Sequence, residues 1–190
     1  MIRSAYAVLL AALLSMTLAE AAQAQRLVHS ERSLYRQVLV YEEAGQRCLC
    51  FTRQCTVGRQ SCMDLARPDR LVFDYAHMML GSLLIGPRPK DILIVGLGGG
   101  SLPRALAELV PDANIDAVEI DPAVVRVARQ YFRFVPGPSM RVHEEDGRTF
   151  VRRAMRSGRT FDLVMLDAYD HEYIPEHLLT QEFLREVRAL

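Results

Sequence analysis

Apolar positions along the chain change their period several times, and each change predicts an element. Between Leu34 and Tyr41 (LYRQVLVY) aromatic and branched residues cluster. The polar run Glu42-Glu43-Ala44-Gly45 follows, and Arg47–Phe51 (RCLCF) returns to β-formers. This predicts a hairpin. Thr52–Gly58 is polar and predicts a loop or a further short strand. From Pro68 to Ile85, the residues Leu71, Tyr75, Met78, Met79 and Ser82 fall near one face at helical spacing. That predicts a helix whose methionine-bearing side enters a core. Pro87 and Pro89 end it.

The next stretch, Asp91–Asp121 (DILIVGLGGGSLPRALAELVPDANIDAVEID), reads as strand, glycine turn, helix, strand and acidic end. Ile92–Val95 is apolar throughout, as a strand buried on both faces would be. Gly96, Gly98, Gly99 and Gly100 follow at once, and Pro103 suits the first turn of a helix running to about Val110. Ile115–Val118 is the second strand, and Asp121-Pro122 caps a helix running to about Phe132. Pro136-Gly137-Pro138 breaks that helix. Met140–Glu144 is a third strand, Arg148–Arg156 a helix, and Phe161–Leu166 a fourth strand. Thr180 caps a last helix. Alternation of short apolar strands with helices predicts an α/β chain with a Rossmann-like parallel sheet at 68–190, preceded by a small N-terminal β-hairpin region at 25–67. Strands after the Thr180 helix are expected and absent. A fragment or truncated product, with the C-terminal strands missing, is therefore the expectation, and pairing by a partner at that edge the alternative.

Three strand ends carry acids: Glu119, Asp146 and Asp167. In open α/β sheets, ligands bind outside the carboxyl ends of the strands. Glu119 stands about 20 residues past the turn, where a carboxylate can take both ribose hydroxyls of a nucleoside. The glycines at Gly96 and Gly98 let a ligand approach the backbone closely.

Composition changes the picture only in part. The chain has 190 residues, half of them hydrophobic, with 23 basic and 23 acidic residues. A zero net charge gives no global field for nucleic acid or an anionic membrane. At the N-terminus, Arg3, the apolar run from Ala5 to about Ala19, and Ala22-Gln23-Ala24 fit a secretory signal peptide over residues 1–24. A periplasmic or secreted protein is therefore expected. An uncleaved membrane anchor and a cytoplasmic product beginning at Met16 are the alternatives. Cys48, Cys50, Cys55 and Cys62 lie within fifteen residues, compatible with disulfides, reduced packing or a metal. They lack the paired C-x2-C spacing of common zinc sites. Cys48 and Cys50 face the same side of a strand and cannot easily pair with each other.

From Ser33 to the end the chain resembles the polyamine aminopropyltransferase (spermidine synthase) family and its spermidine-synthase-like relatives. The motifs are S-x-Y-x-x-V-x-V at Ser33–Val40, the Tyr75 helix, ILIVGLGGG, AVEIDP, EEDGRTF and LDAYDHEYIPEHLLTQEF. The resemblance implies a β-domain before a methyltransferase-type Rossmann domain, association into a homo-oligomer, and a polyamine acceptor. It implies decarboxylated S-adenosylmethionine, or S-adenosylmethionine, as co-substrate and no metal. Glu119 would bind the ribose, and Asp146 with Gly147 the adenine amino group. Asp167 would take the proton from the attacking amine, while Tyr75 and Asp170 would hold that amine. An ordinary methyltransferase carries an acid two positions before the first glycine, where Ile94 stands here. The chain also departs from the family pattern. Its turn is usually G-G-G-D-G-G, and Gly99 occupies the place of the acid aimed at the amine end of the donor. Arg36 replaces a glutamine, the helix reads Tyr75-Ala76-His77, and the loop reads Asp167-Ala168-Tyr169-Asp170-His171.

Two rival readings share the scaffold. One is a methyltransferase, in which Asp167, Asp170, His171, Glu172 and His177 would be the candidate metal ligands; solvent-exposed loop histidines are the plainer reading of that cluster. The other is a binding or structural protein that kept the fold without the chemistry.

Overall fold

The computed structural model describes residues 25–169 and 174–190. The proposed signal peptide and Asp170, His171 and Glu172 lie outside them. Among the described residues, no helix is long and apolar enough to cross a membrane.

Two sheets of four strands make the frame. The first is an antiparallel meander of β1 (Arg26–Arg32), β2 (Gln37–Glu43), β3 (Gln46–Cys50) and β4 (Arg59–Asp64). The expected hairpin is its centre, since β2 and β3 pair with Val40 opposite Leu49. β1 is an addition to the expectation. It is an edge strand without a buried stripe, so it carries no period-2 signal. β4 directly follows the polar loop, with Ser61, Cys62 and Met63 buried. Cys48 opposes Cys62 across β3 and β4 and is disulfide-bonded to it, while Cys50 bonds Cys55. Both bridges sit in one buried cluster with Leu39.

The long helix expected over Pro68–Ile85 is not helical in its first turns. Leu71 forms a β-bridge with Met63, and Phe73 is extended. Helix α1 covers only Asp74–Leu80, and a 3-10 turn follows at Gly81–Leu84. Its methionine face does not enter the core as a unit: Met78 is 73% exposed, while Met79 packs against the main cluster. Helical spacing in the sequence was matched, but the β-bridge of Leu71 claimed the first turns.

The second sheet is all parallel, in the order β7-β6-β5-β8, where β5 is Asp91–Val95, β6 Asn114–Glu119, β7 Met140–Glu144 and β8 Leu163–Leu166. Between them run α2 (Ser101–Leu109), α3 (Pro122–Tyr131) and α4 (Gly147–Arg156), and α5 (Gln181–Arg188) follows. β5 alternates between two cores. Ile92 and Ile94 pack with Leu106, Val125 and Phe134 on the α2–α3 side. Leu93 and Val95 pack with Phe150, Val151 and Phe183 on the α4–α5 side. A strand covered on both faces needs no polar alternation, which is why its sequence is continuously apolar. The predicted caps at Asp121 and Thr180 form, accepting from the amides of Ala123 and Phe183, and Asp146 caps α4 by accepting from the amide of Thr149. On β6 the buried Asp116 gathers Arg141, His143 and Arg159. Burial opposes its charge, but hydrogen bonds from these three hold its carboxyl down at about 2.

The meander lies against α3, where Val38, Val40, Leu49 and Met63 share a core with Val124, Val127 and Phe132. Two polar ties fix this placement. The Ser33 hydroxyl donates to Asp121 across 2.6 Å, and Arg47 donates to the Tyr131 carbonyl across 2.7 Å.

Candidate functional site

Where the two sheets meet, the carboxyl ends of β5, β6 and β8 open into a pocket of about 320 Å³. Its floor is the glycine turn. A Cβ on Gly96 would stand 2.3 Å from the Asp167 carbonyl oxygen, and its φ is +109°. Only glycine lets β5 and β8 release their chains this closely. Gly147 is equally tight, because a Cβ there would meet Val95 Cγ1 at 2.4 Å. Gly98, at φ +54°, turns the chain beside Ser61.

Glu119 ends β6 at the pocket wall. Its two carboxyl oxygens accept from the amides of Leu97, at 3.1 Å, and Asp121, at 3.0 Å. These bonds orient it across the turn and leave lone pairs on both oxygens for vicinal hydroxyls. Burial pushes its carboxyl up, against the pull of the two amides and of Arg36. Asp146 caps α4 with one oxygen, and its other lies 2.8 Å from His177 Nε2. Burial works against its charge, yet the Thr149 amide and His177 hold it below the ordinary range.

Asp167 sits at the tip of β8, its amide bonded to the Val95 carbonyl. Burial pushes its carboxyl up to about 7, the Tyr75 hydroxyl bond opposes this, and the charge of Glu119 adds to it. Tyr75 reaches it from α1, with O···O 3.4 Å. Around that hydroxyl stands an aromatic wall: Phe73 stacks on Tyr75 at 5.9 Å, and Tyr169 meets it edge-on at 5.9 Å. An apolar wall ending in a carboxylate suits an amine with methylenes behind it.

The family model for the spermine/spermidine synthase domain matches residues 72–190. The chain belongs to the spermine/spermidine synthase family. It is 46% identical over 165 residues to the polyamine aminopropyltransferase of Vibrio vulnificus, covering 86% of this chain. It spans 55% of that relative's length, so about half of such a protein is represented here. A probable spermidine synthase from Corynebacterium glutamicum superimposes with a TM-score of 0.70 at 17% identity, over 85% of this chain and 59% of that one, which shows the shared fold. Human methyltransferase-like protein 13, solved in complex with SAH, is 35% identical with a TM-score of 0.50 over 60% of this chain and 56% of its own.

The structure brings the residues singled out from the sequence to one pocket. Gly96, Gly98, Glu119, Asp146, Gly147, Asp167 and Tyr75 all line it. Asp170 lies outside the described residues. Sequence reasoning did not place Ser61, Phe51, Phe73, Tyr169 or His177 at the site, yet they line the same pocket. Ser61 and Phe51 belong to the meander, whose docking no local pattern announces. His177 appeared only as a candidate metal ligand; here it is bound to Asp146, and among the described residues no cluster of three ligating side chains exists.

Proposed function

We propose that this site transfers the three-carbon arm of an S-adenosylmethionine-type sulfonium donor to an amine, as an aminopropyltransferase does with the decarboxylated donor and a polyamine. The observation that carries this reading is Asp167, a carboxyl poised near neutrality at about 7 on the pocket floor and faced by Tyr75. A polyamine is a cation at neutral pH and must lose a proton before it can attack. A carboxylate in hydrogen-bond reach accepts that proton best when its own pKa is near the working pH. The pocket residues fit the donor: Glu119 for the ribose hydroxyls, the close Gly96 turn for the backbone approach, and Asp146-Gly147 at the adenine end. The reaction needs no metal ligand from the chain.

Methyl transfer on the same scaffold is the second reading, favoured by the 35% identity to human methyltransferase-like protein 13. Incubation with either donor and putrescine separates the two, read by chromatography of the nucleoside product. Amine-dependent release of methylthioadenosine, lost in Asp167→Asn, supports arm transfer. S-Adenosylhomocysteine as the product, or no nucleoside product at all, overturns it.

We also infer export to an oxidising compartment, which the two disulfides support. N-terminal sequencing of the mature protein tests this, with a start at Gln25 expected and a start at Met16 excluding it.

A further inference from the structure

We propose that His177 is a positioning residue for the base of the donor: its bond to Asp146 sets the plane of that carboxylate, so that it reads the exocyclic amino group of adenine. This rests on the reading of an adenosyl donor with Asp146-Gly147 at its adenine end. It adds to that reading a residue from the stretch after β8.

Asp146 has two tasks. As the N-cap of α4, it accepts from the Thr149 amide with Oδ1 across 2.8 Å. A carboxylate held at one oxygen can still tilt about that bond. The second oxygen, Oδ2, is the one that lies 2.8 Å from His177 Nε2. Two bonds to two oxygens fix the plane of the group, and each oxygen keeps a lone pair for a ligand.

The same contact decides which ring nitrogen of His177 carries hydrogen. Burial opposes the charge on Asp146, yet the Thr149 amide and His177 hold its carboxyl below the ordinary range, so it is ionised and only accepts. Nε2 is therefore the donor. A carboxylate fixed in this way and lining the pocket takes a hydrogen from an amino group. A purine that bears only hydrogen at that carbon gives it nothing to accept.

His177 is half exposed, but it is not a loose loop side chain. It stands in the 3-10 turn Glu176–Leu178, which is pinned on both sides. Leu178 is buried in the α4–α5 core with Phe150 and Phe183. The His177 carbonyl accepts from Arg148 Nη1 at 3.3 Å, and the same nitrogen reaches Thr180 Oγ1 at 3.5 Å. Arg148 is itself held by Glu186, through Nε at 2.9 Å and Nη2 at 3.2 Å. Arg148 lies in the first turn of α4, the helix that Asp146 caps. One helix start thus carries the carboxylate and also holds the backbone of its partner.

Pro175, His177 and Leu178 line the same pocket as Asp146 and Gly147. Pro175 and Leu178 supply apolar surface for a flat ring, and the Asp146–His177 pair supplies its polar end. A carboxylate ordered before the ligand arrives loses little freedom on binding. Without His177 the ligand itself must order that group, and the gain from the amino group shrinks.

Titration calorimetry of the 190-residue chain tests the proposal. The ligands are methylthioadenosine and its analogue with hydrogen in place of the 6-amino group. The proteins are the parent, His177→Ala and His177→Gln. The parent should bind methylthioadenosine about tenfold tighter than the analogue, the worth of one hydrogen bond to a charged group. His177→Ala should weaken methylthioadenosine by about tenfold and leave the analogue almost unchanged, so the preference disappears. His177→Gln, whose side-chain amide can donate to Asp146, should restore most of it. Thermal scans should place His177→Ala within a few degrees of the parent, as for a half-exposed side chain. If His177→Ala does not fold, His177→Phe fills the space of the ring without a donor and should show the same loss of preference.

Equal weakening of both ligands marks a structural role and overturns the inference. So does a preference that survives the loss of the donor, or one that is absent from the parent. Tighter binding of methylthioadenosine by His177→Ala also overturns it, because His177 would then compete for the carboxylate. Each of these leaves the adenosyl-donor reading standing. Binding of neither ligand by the parent overturns that reading and the inference with it.

Discussion

The hydroxyl of Tyr75 on α1 donates to Oδ2 of Asp167 at the tip of β8, across 3.4 Å. The two residues stand 92 positions apart in sequence. Each perturbs the other. Burial, the Asp167 charge and contact with Tyr169 push the Tyr75 hydroxyl far up, so it stays a donor at every working pH. Its hydrogen bond in turn favours the charged form of Asp167, without overcoming the burial that sets that carboxyl at about 7.

A base of this kind imposes a pH dependence. With Asp167 as the proposed base, kcat/KM should rise as pH rises through about 7. Asp167→Asn should lower the rate by ~10² to 10⁴, the usual worth of a positioned base. Stability runs the other way. The folded-state carboxyl titrates above the unfolded value, so the stability this group contributes at low pH is lost as pH rises through about 7. Asp167→Asn should therefore raise Tm relative to the parent at pH 8 and lose that advantage near pH 4, which thermal scans at the two pH values would show.

Tyr75→Phe keeps the ring against Phe73 and Tyr169 but removes the donor. The Asp167 carboxyl should move higher, shifting the rising limb of the rate profile upward by up to about one pH unit, the equivalent of one hydrogen bond. A profile of kcat/KM against pH for the variant checks this, and an unmoved limb would show that the bond does not reach the base.

Gly96→Ala places a methyl 2.3 Å from the Asp167 carbonyl oxygen at a φ of +109°. The strand ends must part, at a cost of roughly 1–3 kcal/mol. Loss of methylthioadenosine binding should exceed the loss of stability, because the turn that the ligand lies on is what moves. Calorimetry alongside urea denaturation separates the two.

The Cys48–Cys62 bridge spans 14 positions and ties β3 to the strand that carries Ser61. Its removal in the Cys48→Ser, Cys62→Ser double variant should cost about 3 kcal/mol. Denaturation with and without reductant measures it: the parent should fall towards the double variant when reduced.

Much of this protein could be read from its residues. The parallel sheet was legible because a strand buried on both faces is apolar without interruption, as at Ile92–Val95, and because glycine, proline and capping aspartate mark where each helix begins. The strand-end acids Glu119, Asp146 and Asp167 were legible for the same reason: their places follow from strand boundaries, and strand boundaries are local. β1 was not legible, since an edge strand with one partner and no buried stripe has no alternation to detect. The start of the Pro68–Ile85 stretch misled because Leu71 has helical spacing to Tyr75 yet lies in extended backbone, where its bridge to Met63 holds it.

By itself the sequence determined the scaffold, its family and the line of carboxylates at the sheet's carboxyl edge, because each depends on the period and punctuation of neighbouring residues. Tertiary structure alone decided that Tyr75 meets Asp167, that His177 meets Asp146, and that Ser61 and Phe132 occupy the space beside Gly99. Those pairs come from elements far apart in the chain, and of these residues only Ser61 is brought in by packing the meander on α3. Charge, burial and contact distance, on which the chemistry of the pocket depends, exist only once that packing is complete.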